Sequence, residues 1–231
     1  MLDRFRARSY IGACILLAGC AGRLGPLVAT PLAPADRAGA LAWTTSTLPR
    51  HDTAIRFRFS YQDKRRHWAG RGTARVAPPD SLRLDYTGPL GLGSGAAVVV
   101  GDSAVWADPA ENFRTLVPAI SMLWAALGIV RPPGSEAVVQ GGRVPPRAFW
   151  RFVQGIDTLD YVATDSATRI LEAEWRREGK VQARSRTQFD ERALPASARI
   201  DFPEAPARFE FTVVAVDTAA VIAPTLWRSR H

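Results

Sequence analysis

The pattern that decides the fold is clearest at Ile55-Arg56-Phe57-Arg58-Phe59-Ser60-Tyr61. Apolar and polar side chains alternate there with a period of two residues, which is typical of a β-strand with one buried and one solvent-exposed face. The same alternation returns between residues 67 and 107 and between residues 149 and 215, interrupted by short turn-type stretches. Because short turns join neighbouring antiparallel strands, we predict about eleven antiparallel strands.

One-sided strands in this number bury their apolar faces only if the sheet curls, since an open flat sheet would leave one apolar face in water. The predicted fold class is therefore mainly β, an unclosed antiparallel half-barrel. Barrels of more than about eight strands have room for a ligand cavity, although a solid interior is also compatible with the pattern. Aromatic residues are expected to line the interior: Phe57, Phe59, Trp68, Tyr86, Trp106, Trp175, Phe189 and Phe211.

One long segment breaks the two-residue period. Residues 115–127 carry no charge, begin with a capping-type Thr115 and Pro118 in the first turn, and end at Gly128, which predicts a helix. Both faces of this helix are apolar, so both must be covered by protein or by an apolar ligand. We expect it to be a lid or plug at the open mouth of the half-barrel; the alternative is a helix that fills the barrel as ordinary core.

The amino terminus has the pattern of a secretory signal. Three arginines in the first eight residues precede an apolar run that is too short for a membrane span and ends in Leu17-Ala18-Gly19-Cys20. This ending resembles the lipobox of bacterial lipoproteins, which implies that residues 1–19 are removed and that Cys20 is acylated. The alternative is an ordinary signal peptide with a chance cysteine. Since Ala21 rather than aspartate follows Cys20, the resemblance implies an anchor in the outer membrane, facing the periplasm.

The rest of the chain is expected to form one domain behind a tether. Residues 20–35 are rich in Gly, Pro and Ala without periodicity and are interpreted as the tether, and residues 36–231 as the domain. Asp36 is expected to cap a short helix that ends near Thr45 and turns Leu41 and Trp43 towards the body.

The charge of the chain is basic, with a formal net charge of +8 from 30 Lys and Arg against 22 Asp and Glu. This balance suits an anionic membrane surface or an acidic ligand, and a compositional bias towards arginine gives the same count without any partner. Nucleic acid is not an expected partner, because the strand arginines alternate to the face opposite the aromatic residues that would stack on bases.

No constellation of residues predicts catalysis, a metal or a cofactor. His51, His67 and His231 lack metal-ligand spacing, and Gly93-Ser94-Gly95 lacks the strand-turn-helix setting of a nucleophilic serine. The glycine-rich stretch from Gly88 to Gly95 lacks the Gly-Lys-Ser/Thr ending of a phosphate-binding loop. We expect a protein that is not an enzyme.

Several features together resemble the lipoprotein-localisation (LolA/LolB) family, and its LolB branch in particular. They are the lipobox cysteine, a Gly-Pro-Leu-Gly loop, a hairpin with Trp106, a helix that closes in Leu127-Gly128, and an aromatic stretch. The loop lies at the end of Leu82-Arg83-Leu84-Asp85-Tyr86-Thr87-Gly88-Pro89-Leu90-Gly91, and the aromatic stretch is Phe149-Trp150-Arg151-Phe152-Val153-Gln154-Gly155. The likeness covers roughly residues 36 to 216.

This resemblance implies an unclosed eleven-stranded barrel with a helical lid that binds acyl chains of lipoproteins or lipids at the inner leaflet of the outer membrane. It implies a periplasmic carrier protein as a further partner, and it makes Leu90, with Leu92 second, the exposed apolar residues of a transfer loop. The expected cavity lining is Phe57, Phe59, Leu84, Trp106, Leu123, Trp124, Leu127, Trp175, Phe189 and Phe211. The alternative function is a non-catalytic interaction lipoprotein whose solid barrel docks an envelope assembly.

Overall fold

One antiparallel sheet of thirteen strands makes up most of the protein. The structure is a computed structural model that describes Leu24, Gly25, Leu27 and residues 32–91, 93–113 and 119–228. The strands are β1 Ala33–Pro34, β2 Thr53–Gln62, β3 His67–Ala77, β4 Ser81–Thr87, β5 Ser94–Val100, β6 Ser103–Asp108, β7 Val138–Val144, β8 Arg147–Gln154, β9 Asp157–Thr164, β10 Ile170–Arg177, β11 Lys180–Phe189, β12 Pro195–Phe202 and β13 Ala207–Asp217. The helices are α1 Arg37–Ser46, α2 Ala110–Phe113 and α3 Ile120–Ala126.

The sheet is not closed. Its strand order is β1-β7-β8-β9-β10-β11-β12-β13-β2-β3-β4-β5-β6, so β1 and β6 are its two edges. The predicted class, a mainly β half-barrel, is confirmed. Two of the thirteen strands, β1 and β7, were not predicted, because Gly141-Gly142 and Pro145-Pro146 give β7 the composition of a turn.

The inner face of the sheet carries the alternating apolar residues. On β2, Ile55, Phe57 and Phe59 are buried, whereas Arg56 and Arg58 are exposed on the convex face. Inner residues of the other long strands join them in one continuous apolar core. Burying such a side chain contributes roughly 1.5 to 3 kcal/mol, so the alternation fixes which face of each strand turns inward.

Helix α3 fills one half of the barrel interior. Its predicted range was 115–127; residues 115–118 lie outside the described part of the chain, and α3 packs against β10, β11 and β12. The Thr187 hydroxyl donates to the Ala125 carbonyl at 2.7 Å, and Trp124 Nε1 donates to the Gly101 carbonyl at 2.9 Å. Helix α3 therefore occupies the position given above as the alternative, inside the barrel as core, and not that of a lid over its mouth; we call it the plug.

Helix α1 begins where Asp36 caps it, with the carboxylate accepting two backbone N–H groups of the first turn. Trp43 stacks on Trp150 with ring centroids 5.9 Å apart, as expected of a residue turned to the body. Leu41 was expected to pack there too, but the helix turns it to solvent, and it is 39% exposed. Ala33–Pro34 pairs with β7, so this part of the predicted tether is held on the sheet edge.

Within the described residues, every helix is too short or too polar to cross a bilayer.

Candidate functional site

The candidate site is an aromatic cavity at one end of the half-barrel. We call this the cavity end; it carries the β2–β3 turn at residues 63–66, the β4–β5 loop at 88–93 and the β12–β13 turn at 203–206. The opposite end, which carries the β3–β4 and β7–β8 turns, is called the far end. The cavity has a volume of about 700 Å³ and lies between β2, β3, β4, β13 and α2. Ligand pockets typically measure about 300 to 1,000 Å³.

Glycines on β3 make room for the rings of β2. Phe57 lies directly opposite Gly72, and Phe59 lies directly opposite Gly70. A Cβ atom at Gly72 would come within 2.3 Å of the Phe57 ring, and one at Gly70 within 2.9 Å of the Phe59 ring. The rings therefore extend across the neighbouring strand, where they form a smooth apolar wall.

The wall continues as a chain of ring contacts. The ring centroids of Phe59 and Trp68 are 5.5 Å apart, those of Trp68 and Tyr86 are 4.7 Å apart, and those of Tyr86 and Phe113 are 5.6 Å apart. The first two pairs meet edge to face, a favourable geometry for aromatic groups. Phe113 belongs to α2, so this short helix closes one side of the cavity.

Polar groups stand at the mouth of the cavity, at Asp63, Arg65, Arg66, His67, Glu111 and Asn112. Hydrogen bonds from the backbone N–H groups of Arg65 and Arg66 lower the pKa of Asp63. Burial raises the pKa of Tyr86, although its hydroxyl accepts a hydrogen bond from the Asn112 side chain. The arrangement suits an amphiphile whose chain enters among the rings while its polar end stays at the mouth.

The structure brings together some of the residues predicted for the lining. Phe57, Phe59 and Leu84 line the cavity. Phe211 packs behind them, and its ring centroid lies 4.8 Å from that of Phe57. The three predicted lining residues at or next to α3 are instead buried in the plug: Leu123, Trp124 and Leu127. The sequence does not distinguish these two positions, because an all-apolar helix has the same hydrophobic pattern whether it borders a cavity or fills one.

Trp106, Trp175 and Phe189 also lie away from the cavity. A bulge between Val98 and Val99 shifts the register of β5 and β6 and turns Trp106 to the convex face, where its Nε1 donates to the Trp227 carbonyl at 3.2 Å. Trp175 Nε1 donates to Asp157 at 2.9 Å. The Phe189 ring lies beside Gly128, just past the plug.

Five aromatic lining residues were absent from the predicted cavity set: Tyr61, Trp68, Tyr86, Phe113 and Phe209. Trp68 and Tyr86 were expected among the interior aromatics, and the alternation that placed Phe57 inward extends to Tyr61. Phe113 follows no period, since α2 has a single turn. Its role at the cavity had no signal in the sequence.

The predicted transfer loop lies at the cavity end. Leu90 is 98% exposed with φ of 55°, and the Gly88 N–H closes the loop by donating to the Gly93 carbonyl at 2.8 Å. Leu92 lies outside the described residues. Leu90 is thus presented to solvent at the same end of the half-barrel as the cavity mouth.

The convex face carries a row of paired charges. Arg151, Asp160, Glu174, Arg184, Asp201 and Arg208 lie directly opposite one another on six successive strands, β8 to β13. Arg151 Nε lies 2.6 Å from Asp160, and Glu174 is fully buried between Arg176 and Arg184. We call this row the charge ladder. Its cations are engaged by its own carboxylates.

Leu24 is bound at one step of the charge ladder. Its N–H donates to Asp201 at 2.7 Å, and its carbonyl accepts from Arg184 at 3.1 Å. Burial raises the pKa of Asp201, but hydrogen bonds from Arg199 and Leu24 outweigh it, and the pKa lies below its usual value. Leu24 also shares a groove with Lys64 of the β2–β3 turn, so it lies at the cavity end.

Within the described part of the chain, no three His, Cys, Asp or Glu side chains come together in a group that could hold a metal ion. Cys20 lies outside the described residues.

Comparison with known proteins shows a likeness in structure and none in sequence. No family model and no curated protein sequence matches the chain. Its structure is similar to that of a LolA superfamily protein from Nitrosomonas europaea, with a TM-score of 0.56, 11% identity and coverage of 84% of this chain and 99% of that one. The fold is LolA-like. A DUF1329 family protein from Desulfovibrio piger aligns with a TM-score of 0.32, at 8% identity over 81% of this chain and 93% of that one.

Proposed function

We propose that this protein is a membrane-anchored lipoprotein that binds acyl chains and accepts or transfers lipoproteins or lipids at the outer membrane, as members of the LolB branch do. The observation that carries the proposal is the cavity of about 700 Å³ with its aromatic wall and polar mouth. The LolA-like fold supports it. The proposed role is binding and transfer without catalysis.

The affinity would come from burial of the acyl chain. Each methylene group that leaves water contributes about 0.8 kcal/mol, so a chain of even modest length binds well to an apolar wall. The rings of Trp68 and Tyr86 are already held in place by their mutual contact, which lowers the entropy cost of forming the site.

Membrane anchoring in the proposal rests on the lipobox and Cys20. Acylation of this cysteine by two or three chains would give a stable anchor, whereas a single chain binds only marginally. Its test is the intact mass of protein purified from the envelope. We expect a chain that begins at Cys20 and carries acyl groups, and a Cys20→Ala chain that lacks them; a Cys20 chain without acyl groups would remove the anchor from the proposal.

A fluorescent fatty acid tests the cavity directly. Trp68→Arg removes an indole ring from the cavity wall. Because Trp68 is only partly buried, the new side chain can direct its charge to solvent and spare the fold. Trp43→Arg is the matched control, since Trp43 is a partly buried tryptophan on the inner side of the other half of the barrel.

We expect the wild type and Trp43→Arg to take up the probe, and Trp68→Arg to bind it at least about tenfold more weakly, because the substitution removes the indole ring against which the acyl chain would be buried. Equal uptake by all three proteins would place the probe elsewhere. No uptake by any of them would favour the interaction lipoprotein.

A further inference from the structure

Two arginines on the convex face form an arrangement that folding alone does not favour. Arg58 on β2 and Arg71 on β3 lie directly opposite each other, and both are exposed. Like charges in this position destabilise a sheet. Among the described residues, no carboxylate lies within 4.0 Å of either guanidinium, in contrast to the paired arginines of the charge ladder.

This arginine pair lies in a groove beside the exposed β4–β5 loop. Arg58 and Arg71 line a groove of about 470 Å³ together with Gly88, Leu90 and Gly91 of the β4–β5 loop. Two cations thus stand beside a leucine that is 98% exposed. A surface that combines basic groups with a protruding apolar side chain matches the headgroup and acyl layers of an anionic bilayer.

The β2–β3 turn adds three further cations at the same end of the barrel. Lys64, Arg65 and Arg66 are exposed, and Asp63 fixes the turn by accepting the N–H groups of Arg65 and Arg66 at 2.7 Å each. With its carboxylate engaged by the backbone, the turn presents its three basic side chains outward.

We infer that Arg58, Arg71 and the β2–β3 turn form a basic rim that docks on anionic phospholipid headgroups, with Leu90 entering the acyl layer. The partner is a bilayer surface rather than a protein. Leu24, bound to Asp201 and Arg184, lies at this same end, so a membrane anchor just before it would hold the basic rim and the cavity mouth towards the bilayer.

This inference rests on the proposed function for its membrane setting, but it is tested by a separate measurement. The full chain carrying Cys20→Ser, which prevents acylation, is floated with vesicles of phosphatidylcholine alone or mixed with phosphatidylglycerol. Binding to the neutral vesicles measures what apolar contacts contribute, and the difference between the two vesicles measures the electrostatic part.

The test variant is Arg58→Glu/Arg71→Glu. Its control, Arg143→Glu/Arg147→Glu, reverses two exposed arginines on the adjacent strands β7 and β8 at the far end, so both proteins have the same net charge. We expect the test variant to lose about tenfold or more in affinity for the anionic vesicles and the control to lose less than about threefold. Added salt should weaken the wild type more than the test variant.

Equal losses in the two variants, or equal binding of the wild type to both kinds of vesicle, would overturn the inference. If the double variant does not fold, Arg71→Gln takes its place in the test. This variant is expected to fold, because removing one member of a like-charge pair should leave the unfolding midpoint unchanged or raise it. Fatty-acid uptake is measured on the same proteins. The test variant is expected to take up the fatty acid normally while it loses vesicle binding. If no protein takes up the fatty acid but the wild type still binds anionic vesicles, the result counts against the proposed cavity and not against the basic rim.

Discussion

The Phe57 ring occupies the space that a side chain at Gly72 would need. The two residues are direct partners across β2 and β3. On the side of β2 that faces β13, the ring centroid of Phe211 lies 4.8 Å from that of Phe57. The Phe57 ring therefore has little freedom to move away. This pairing of an aromatic residue with a glycine lets the sheet curve around the cavity and supplies part of the apolar wall.

Gly72→Ala should therefore destabilise the protein by about 1 to 3 kcal/mol, the usual range for overpacking a core. Urea unfolding measures the loss. Adding Phe57→Leu to Gly72→Ala should restore part of it, because the smaller side chain vacates the space. Gly25→Ala is the control, since a Cβ atom there meets nothing within 4 Å; a similar loss in the control would contradict the explanation.

Glu174→Gln tests the charge ladder. Glu174 is fully buried between Arg176 and Arg184, and its neutralisation removes the carboxylate that Arg184 pairs with, whereas Arg176 keeps its ion pair with Asp160. We expect a loss of about 2 kcal/mol in the free energy of unfolding, below the value for fully buried pairs because both arginines reach solvent.

The matched control for that substitution is Glu172→Gln, on the same strand and the same face. Glu172 lies 3.8 Å from Arg186, and both side chains are partly exposed, so the expected loss is below about 1 kcal/mol. Equal losses for the two variants would show that burial in the charge ladder has no special importance.

The pH dependence of stability should contain a contribution from Asp201. Its pKa in the folded protein lies below the ordinary value, so the stabilisation is present above the unfolded-state pKa, near 4, and is lost as the pH falls through the lower folded-state pKa. Asp201→Asn should be less stable at neutral pH and lose less stability on acidification. Parallel stability curves for the two proteins between about pH 6 and pH 2 would refute this assignment.

Leu90→Glu tests the transfer loop. A charge at this position should impair delivery of a bound lipoprotein to vesicles by about tenfold, because a carboxylate does not enter the acyl layer, while fatty-acid uptake stays normal. Val221→Glu is the control, since Val221 is 99% exposed at the far end. Unchanged delivery by Leu90→Glu would remove this role from the loop.

The half-barrel could be predicted from the sequence because apolar and polar side chains alternate along each strand, and this alternation indicates which face of the strand is buried. The prediction failed where alternation is interrupted. The bulge beside Val98 turned Trp106 outward, and the glycines of β7 concealed a strand. The charge ladder could not be predicted either. Whether Glu174 lies opposite Arg184 depends on the register of the two strands, and the alternation of apolar and polar residues does not fix that register.

The cavity itself was only partly predictable. Inward positions on β2 and β4 identified Phe57, Phe59 and Leu84, but whether an interior is hollow depends on how far the plug extends. Helix α3 fills the half next to β10, β11 and β12 and leaves the half beside β2, β3 and β4 open. That division is a property of packing in three dimensions.

The central claim is that the cavity holds an acyl chain, and native mass spectrometry tests it most directly. A chain that begins at Ala21, and therefore lacks the acylated cysteine, is purified from the envelope fraction without detergent; its intact complexes are weighed, and any bound molecule is extracted and identified. We predict an acyl-chain species at close to one per protein. An empty protein that also refuses the fluorescent fatty acid would contradict the account and favour an interaction lipoprotein.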